Sequence, residues 1–129
     1  IPIAVLCALE FNVPVVFAKK HQTRNLTDDC YVASIHSYTH GNDYEARVER
    51  QLLSSDDTIL VIDDFLANGA ALDGLMDIIS QSGAKLAGCG IAIEKGFQDG
   101  GRRIRQTGVR VESLAVIKEM KDDGTIIFQ

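Results

Sequence analysis

The sequence predicts an α/β domain, a mainly parallel twisted sheet flanked by helices. Three observations lead there. Short apolar, β-branched runs recur at residues 13–18, 58–63, 85–93 and 110–118, each of strand length. Between the second and third lies a helical stripe of Ala71, Leu72, Leu75, Ile78 and Ile79. The run 58–63 is apolar on both faces, as in the middle of a parallel sheet. Strands that alternate with helices give this class.

Residues 1–11 carry apolar side chains on most faces and predict a short buried helix, stopped at Asn12. Residues 13–18 (Val-Pro-Val-Val-Phe-Ala) predict a strand, with Pro14 at its start, where a missing N–H is tolerated. Lys19 and Lys20 follow at its end, and the polar residues 21–29 make a loop. Residues 31–38 alternate loosely, as a strand does, and 40–43 (His-Gly-Asn-Asp) make a turn. Residues 46–53 suit either a second antiparallel strand or a helix.

The strand 58–63 ends on Asp63 and Asp64, and a helix follows over 70–82, stopped by Gly83. Residues 85–93 form the next strand, ending in Glu94-Lys95-Gly96-Phe97. A short basic helix spans 100–106, and a strand covers 110–118. Asp122-Asp123-Gly124 turns the chain into an edge strand over 125–128.

The length of 129 residues suits one domain, 1–129, with one core. A formal net charge of -5 argues against a nucleic-acid surface, which needs a basic patch. Cys7, Cys30 and Cys89 are odd in number and lack CxxC spacing. They point to reduced thiols in a cytoplasmic protein, not to a disulfide framework or zinc site. His21, His36 and His40 have no ligand spacing and are expected at the surface or in turns. No apolar run approaches the ~20 residues that span a bilayer, so no membrane partner is expected. The chain starts at Ile1, within an apolar pattern, and residues are expected to precede it.

The chemistry concentrates in residues 59–71, Ile-Leu-Val-Ile-Asp-Asp-Phe-Leu-Ala-Asn-Gly-Ala-Ala. Gly69 permits close backbone approach, and Ala67, Ala70 and Ala71 add little bulk. A helix starting there presents unpaired N–H groups and the positive end of its dipole to an anion. The dipole contributes ~0.3–1 kcal/mol, and each amide bond to a dianion ~1.5–3 kcal/mol. That suffices for a phosphate monoester without the lysine of a Walker loop. Asp63 and Asp64 could each accept from a ribose hydroxyl or attract a hydrated Mg²⁺. A bare Asp-Asp is as often a turn former at a strand end, but the apolar run before it and the small-Asn-Gly turn after it favour the ligand role. In open sheets ligands bind beyond the carboxyl ends of the strands. Lys19-Lys20, Asp63-Asp64 with its turn, and Lys95-Gly96-Phe97 are therefore expected to converge on one site.

The run 59–71 resembles the phosphoribosyl-diphosphate motif of the type I phosphoribosyltransferases: four apolar residues, two acids, then a small-Asn-Gly turn. Val13-Pro14-Val15-Val16-Phe17-Ala18-Lys19-Lys20-His21, Ile93-Glu94-Lys95-Gly96-Phe97-Gln98 and Arg110-Val111-Glu112-Ser113-Leu114-Ala115 resemble further segments of that family. The similarity is greatest to its bacterial branch that acts on xanthine. The resemblance implies transfer of phosphoribosyl from 5-phosphoribosyl 1-diphosphate to xanthine, giving xanthosine 5'-monophosphate and diphosphate.

It assigns Asp63 and Asp64 to the ribose hydroxyls, as the catalytic pair. Ala67, Asn68, Gly69, Ala70 and Ala71 would bind the 5-phosphate, and Lys95 an exocyclic oxygen of the purine. Phe97 would lie near the base plane or in the core. Lys19 and Lys20 would meet the pyrophosphate or simply the solvent. Mg²⁺ would come with the diphosphate, with no protein ligand of its own. The resemblance also implies a homodimer, a flap within residues 20–58 that closes over the diphosphate, and a hood and first strand that would precede Ile1. Arg102, Arg103 and Arg105 are expected to be a solvated helix face. Two other readings stand beside this one: a phosphoribosyltransferase-fold regulator of transcription that senses the diphosphate, and an inactive fragment of the enzyme.

Overall fold

The computed structural model describes residues 1–21, 29–37 and 42–129. Residues 22–28 of the loop expected over 21–29, residue 38 of the strand expected over 31–38 and residues 40–41 of the turn expected over 40–43 lie outside the described residues. The described chain falls into two compact units.

The first unit comprises Ile1–Val13, Leu60–Gly69 and Ala87–Gln129. It opens with helix α1 (Pro2–Phe11), which ends at Asn12 in the left-handed conformation with φ 53°. The Val13 N–H closes the end by donating to the Ala8 carbonyl at 3.0 Å. The helix is where the sequence predicts it, but it is not buried. Leu6 is 68%, Leu9 73% and Phe11 62% exposed. Apolar side chains on most faces require cover on every side, and one core can cover only one.

The strands centred on this unit are β4 (Thr58–Leu66), β5 (Lys85–Lys95), β6 (Val111–Met120) and β7 (Ile126–Phe128), hydrogen-bonded in the order β4-β5-β6-β7. β5 and β6 run parallel; β6 and β7 are antiparallel. The turn between those two is the expected one: Gly124 has φ +86°, and the Lys121 N–H donates to the Thr125 carbonyl at 2.9 Å. β4 departs from expectation in two ways. Among the described residues it is an edge strand, not a central one, which leaves Leu60 and Phe65 exposed. It also runs on to Leu66, so Asp63 and Asp64 lie inside the strand. Helix α3 (Gly100–Gln106) follows β5, with Ile104 fully buried among the side chains of this unit.

The second unit comprises Pro14–Ile59 and Ala70–Leu86. Residues 13–18 form no strand. Pro14 cannot donate to a ladder, Val16 and Phe17 are exposed, and pairing begins only at β1 (Lys19–His21). β2 (Cys30–Ser37) and β3 (Asn42–Glu49) are antiparallel, and β1 adds to the far side of β3 in the order β1-β3-β2. The strand-or-helix ambiguity over 46–53 resolves as strand to Glu49, then a short 3-10 helix at Arg50–Leu52. His36 is thus a strand residue, facing Asp43 across the ladder.

Helix α2 (Ala70–Ser82) packs on this sheet, burying Leu72, Ile78 and Ile79. Ile78 joins Tyr31, Ala33, Ile35, Ala46 and Val48 in one apolar cluster. Gly74 lets α2 approach β2 closely: a Cβ there would lie 2.5 Å from Ile35 Cγ1. Gln81 ties the same pair of elements by accepting from the Val32 N–H at 3.3 Å and donating to its carbonyl at 2.8 Å.

Candidate functional site

The first unit holds Asp63, Asp64, Ala67, Asn68, Gly69, Lys95 and Phe97. The Asp64 N–H donates to Asp63 Oδ1 at 2.9 Å, and the Phe65 N–H donates to Asp64 Oδ1 at 2.9 Å. Each carboxylate is thereby oriented by the backbone that follows it. Asp63 is half-buried and Asp64 exposed. Burial pushes the Asp63 carboxyl above its ordinary range, the adjacent Asp64 carboxyl pushes the same way, and the bond from the Asp64 N–H opposes both. Burial likewise raises the neighbouring Cys89 thiol, and the charge of Asp63 adds to that rise. Both effects favour the protonated thiol.

Past Leu66 the chain turns through Ala67 and Asn68 to Gly69, which has φ +89°. That conformation strains any L side chain. A Cβ on Gly69 would also lie 2.9 Å from Arg103 Nη2 and 3.1 Å from Ile104 Cδ1. The turn rests on α3. The Gly100 N–H donates to the Ala67 carbonyl at 3.2 Å, and Arg103 Nη2 donates to the Asn68 carbonyl at 3.2 Å. Gly100 itself lies so close that a Cβ there would sit 2.3 Å from Ala67 O and 2.6 Å from Gly69 N. α2 starts at Ala70, so Ala70 and Ala71 are its first two residues.

Lys95 is the last residue of β5, the strand next to β4. It is half-buried and, among the described residues, its ammonium has no hydrogen-bond or ion-pair partner. The Gly96 N–H donates to the Ile117 carbonyl at 2.8 Å, and the Gln98 N–H to the Lys95 carbonyl at 2.9 Å, closing the turn after the strand. Phe97 is 49% exposed, so it is not a core residue. Lys19 and Lys20 belong to the second unit. Lys19 Nζ pairs with Glu49 at 2.8 Å, and Lys20 Nζ lies 4.0 Å from the centre of the Tyr44 ring.

One network escaped the sequence reading. Glu94, only 5% exposed, receives two parallel bonds of 2.7 Å from Arg105 and a third of 2.5 Å from Ser113 Oγ. Arg105, and to a smaller extent Ser113, hold the Glu94 carboxyl below its usual range against the effect of burial. Arg105 is exposed, as expected of a solvated helix face, yet its guanidinium is also committed to Glu94. It ties α3 to β5, and Gly101 makes room for the pair, since a Cβ there would lie 2.0 Å from Glu94 Oε1. The signal available beforehand was slight: a Glu before Lys95, and an Arg on a helix with two successive glycines.

A carboxylate pair on a strand, followed by a small-residue turn into a helix, matches a sugar phosphate. Carboxylates in such a place can accept from hydroxyls, and the amides of such a turn can donate to a phosphate. A search of protein-family models gives no match. Among solved structures, the chain is similar to adenine phosphoribosyltransferase from Rhodothermus marinus (TM-score 0.76, 18% identity, 90% of this chain and 63% of that one). It is equally similar to the Trypanosoma brucei adenine phosphoribosyltransferase solved with AMP, pyrophosphate and ribose-5-phosphate (TM-score 0.76, 17% identity, 93% of this chain and 53% of that one).

At such identities the likeness shows the fold, that of the type I phosphoribosyltransferases. Sequence narrows it further. The chain is 56% identical over 128 residues to the xanthine phosphoribosyltransferase of Ruminiclostridium cellulolyticum, covering 99% of this chain and 67% of that protein. It is 53% identical over 129 residues to that of Alkaliphilus metalliredigens, covering 100% of this chain and 63% of that protein. The chain belongs to the xanthine phosphoribosyltransferase family. It spans about two thirds of the length of these curated relatives.

Proposed function

We propose that the whole protein transfers phosphoribosyl from 5-phosphoribosyl 1-diphosphate to xanthine, with 1–129 forming one phosphoribosyltransferase domain. The observation that carries this reading is the Asp63-Asp64 strand running into the Gly69 turn, in a chain with several xanthine phosphoribosyltransferase relatives at about 50% identity. A purine nitrogen attacks C1 of the ribose and the bond from C1 to the diphosphate oxygen breaks. Diphosphate leaves with the electron pair, and the nitrogen loses its proton.

Asp63 and Asp64 accept from the ribose hydroxyls and so fix the ring beneath the attacking base. Amides of residues 67–71 hold the 5-phosphate. Lys95, with no partner among the described residues, donates to an exocyclic oxygen of the purine, and the exposed Phe97 lies against the base. Lys19 and Lys20 serve the pyrophosphate, exchanging their Glu49 and Tyr44 contacts for it.

Among the described residues no group of three or more His, Cys, Asp or Glu could hold a metal ion. Mg²⁺ needs about six oxygen ligands, so two carboxylates fit it only as an ion carried by the diphosphate. It would neutralise the leaving group there.

Among the described residues no helix is long and apolar enough to cross a membrane. The three cysteines are unpaired thiols, which supports a cytoplasmic setting. A homodimer rests on the family resemblance, and sedimentation of the full-length protein tests it. The reaction is tested by supplying that protein with 5-phosphoribosyl 1-diphosphate, Mg²⁺ and xanthine and following xanthosine 5'-monophosphate by chromatography. A protein that neither forms it nor binds the diphosphate sinks the proposal.

A further inference from the structure

We propose that Arg103 is a positioning residue for the 5-phosphate, acting through the carbonyl of Asn68 to aim the amides of the turn. The proposal rests on the ribose-phosphate reading of that turn. Two successive carbonyls of the turn are held by one helix: Ala67 O by the Gly100 N–H and Asn68 O by Arg103 Nη2, both at 3.2 Å. No peptide bond here is cis. In a planar trans peptide the carbonyl and the following N–H point in opposite directions. Fixing Ala67 O therefore turns the Asn68 N–H away from α3, and fixing Asn68 O turns the Gly69 N–H away from the Arg103 guanidinium.

The two amides are held side by side before any ligand arrives. Glycine at 69 cannot do this alone, because at φ +89° it is the residue least bound to one conformation. The guanidinium supplies the constraint that the glycine lacks. It also fills the space next to Gly69, where a Cβ would lie 2.9 Å from Nη2. Arg102 on the same helix makes a different contact, to Asp99 at 2.5 Å, and is the internal control for charge alone.

The test uses the full-length protein and ribose 5-phosphate as the probe. Calorimetry should show Arg103→Met weakening that ligand about tenfold, the size of one lost charged hydrogen bond. Arg102→Met should bind as wild type, and Arg103→Lys should recover part of the loss. In turnover, KM for 5-phosphoribosyl 1-diphosphate should rise while KM for xanthine holds. In the ligand-free protein, the Asn68 and Gly69 amide resonances should shift in Arg103→Met at an unchanged melting temperature. A direct phosphate ligand would leave those resonances in place.

Wild-type binding with an unchanged Arg103→Met affinity overturns this inference alone. So does an equal loss in Arg102→Met, or unmoved amide resonances. A wild-type protein that binds no ribose 5-phosphate overturns the ribose-phosphate reading, and this inference with it.

Discussion

Replacing Gly100 by alanine places one methyl group where the structure has no room for it. The new Cβ would lie 2.3 Å from Ala67 O, 2.5 Å from Asn68 C and 2.6 Å from Gly69 N, all backbone atoms. Ordinary contact begins near 3.4 Å, so α3 and the turn must part by roughly 1 Å, since no flexible side chain can yield instead. Overpacking of this kind costs about 1–3 kcal/mol of stability. The separation also lengthens the Gly100 N–H bond to Ala67 O, now 3.2 Å, beyond useful range.

A displacement of ~1 Å in a group that positions substrate can cost ~100-fold in rate. Gly100→Ala should therefore lower kcat/KM for 5-phosphoribosyl 1-diphosphate by about 30- to 100-fold. Its melting temperature should fall by several degrees, at about 2–8 °C per kcal/mol over the size range that brackets this protein. Steady-state kinetics and thermal denaturation by circular dichroism, on the same preparations, give both numbers. Wild-type kinetics in a folded Gly100→Ala protein would refute the claim that α3 sets the geometry of the turn. Lost stability with intact kcat/KM would do the same, because the methyl would then be accommodated away from the turn.

Two other predictions address the carboxylates. Glu94→Gln keeps the shape but loses the charge that Arg105 and Ser113 grip; with Arg105 40% exposed, the cost should be about 1–2 kcal/mol by denaturant titration. The folded-state pKa of Glu94 is depressed, so its contribution is present above the unfolded value near 4.5 and is lost as pH falls through the lower folded value. The gap between the two proteins should therefore close on acidification below about pH 4.5. Asp63 has the opposite sign. Its raised folded pKa gives a contribution present below the unfolded value of 3.8 and lost as pH rises through the folded one. Asp63→Asn should then be more stable than wild type at pH 7, with the difference shrinking toward pH 4, while kcat/KM for 5-phosphoribosyl 1-diphosphate drops at least about tenfold. An Asp63→Asn protein of wild-type activity would remove this carboxylate from the ribose site.

What the sequence determined by itself was whatever depends on near neighbours. Four apolar residues before Asp63 specify a strand, the stripe from Ala71 to Ile79 specifies α2, and Gly69, Gly83 and Gly124 mark turns that all have positive φ. Period and turn chemistry are local, so they survive in one dimension. The same is true of the Asp63-Asp64 motif, whose members are consecutive along the chain.

The tertiary structure decided the rest. Arg103 reaches Asn68 across 35 positions, and Arg105 reaches Glu94 across 11. An arginine on a short helix carries no mark of which carbonyl or carboxylate it will meet, and a Gly-Gly pair at the start of that helix carries no mark of what will pack against it. Residues 13–18 had strand composition but found no ladder among the described residues, and α1 had the composition of a core helix but stands largely exposed. Composition states what a segment could bury; only the placement of other segments settles whether it is covered. The turn and the helix over 100–106 were therefore legible in the chain, and the contacts between them were not.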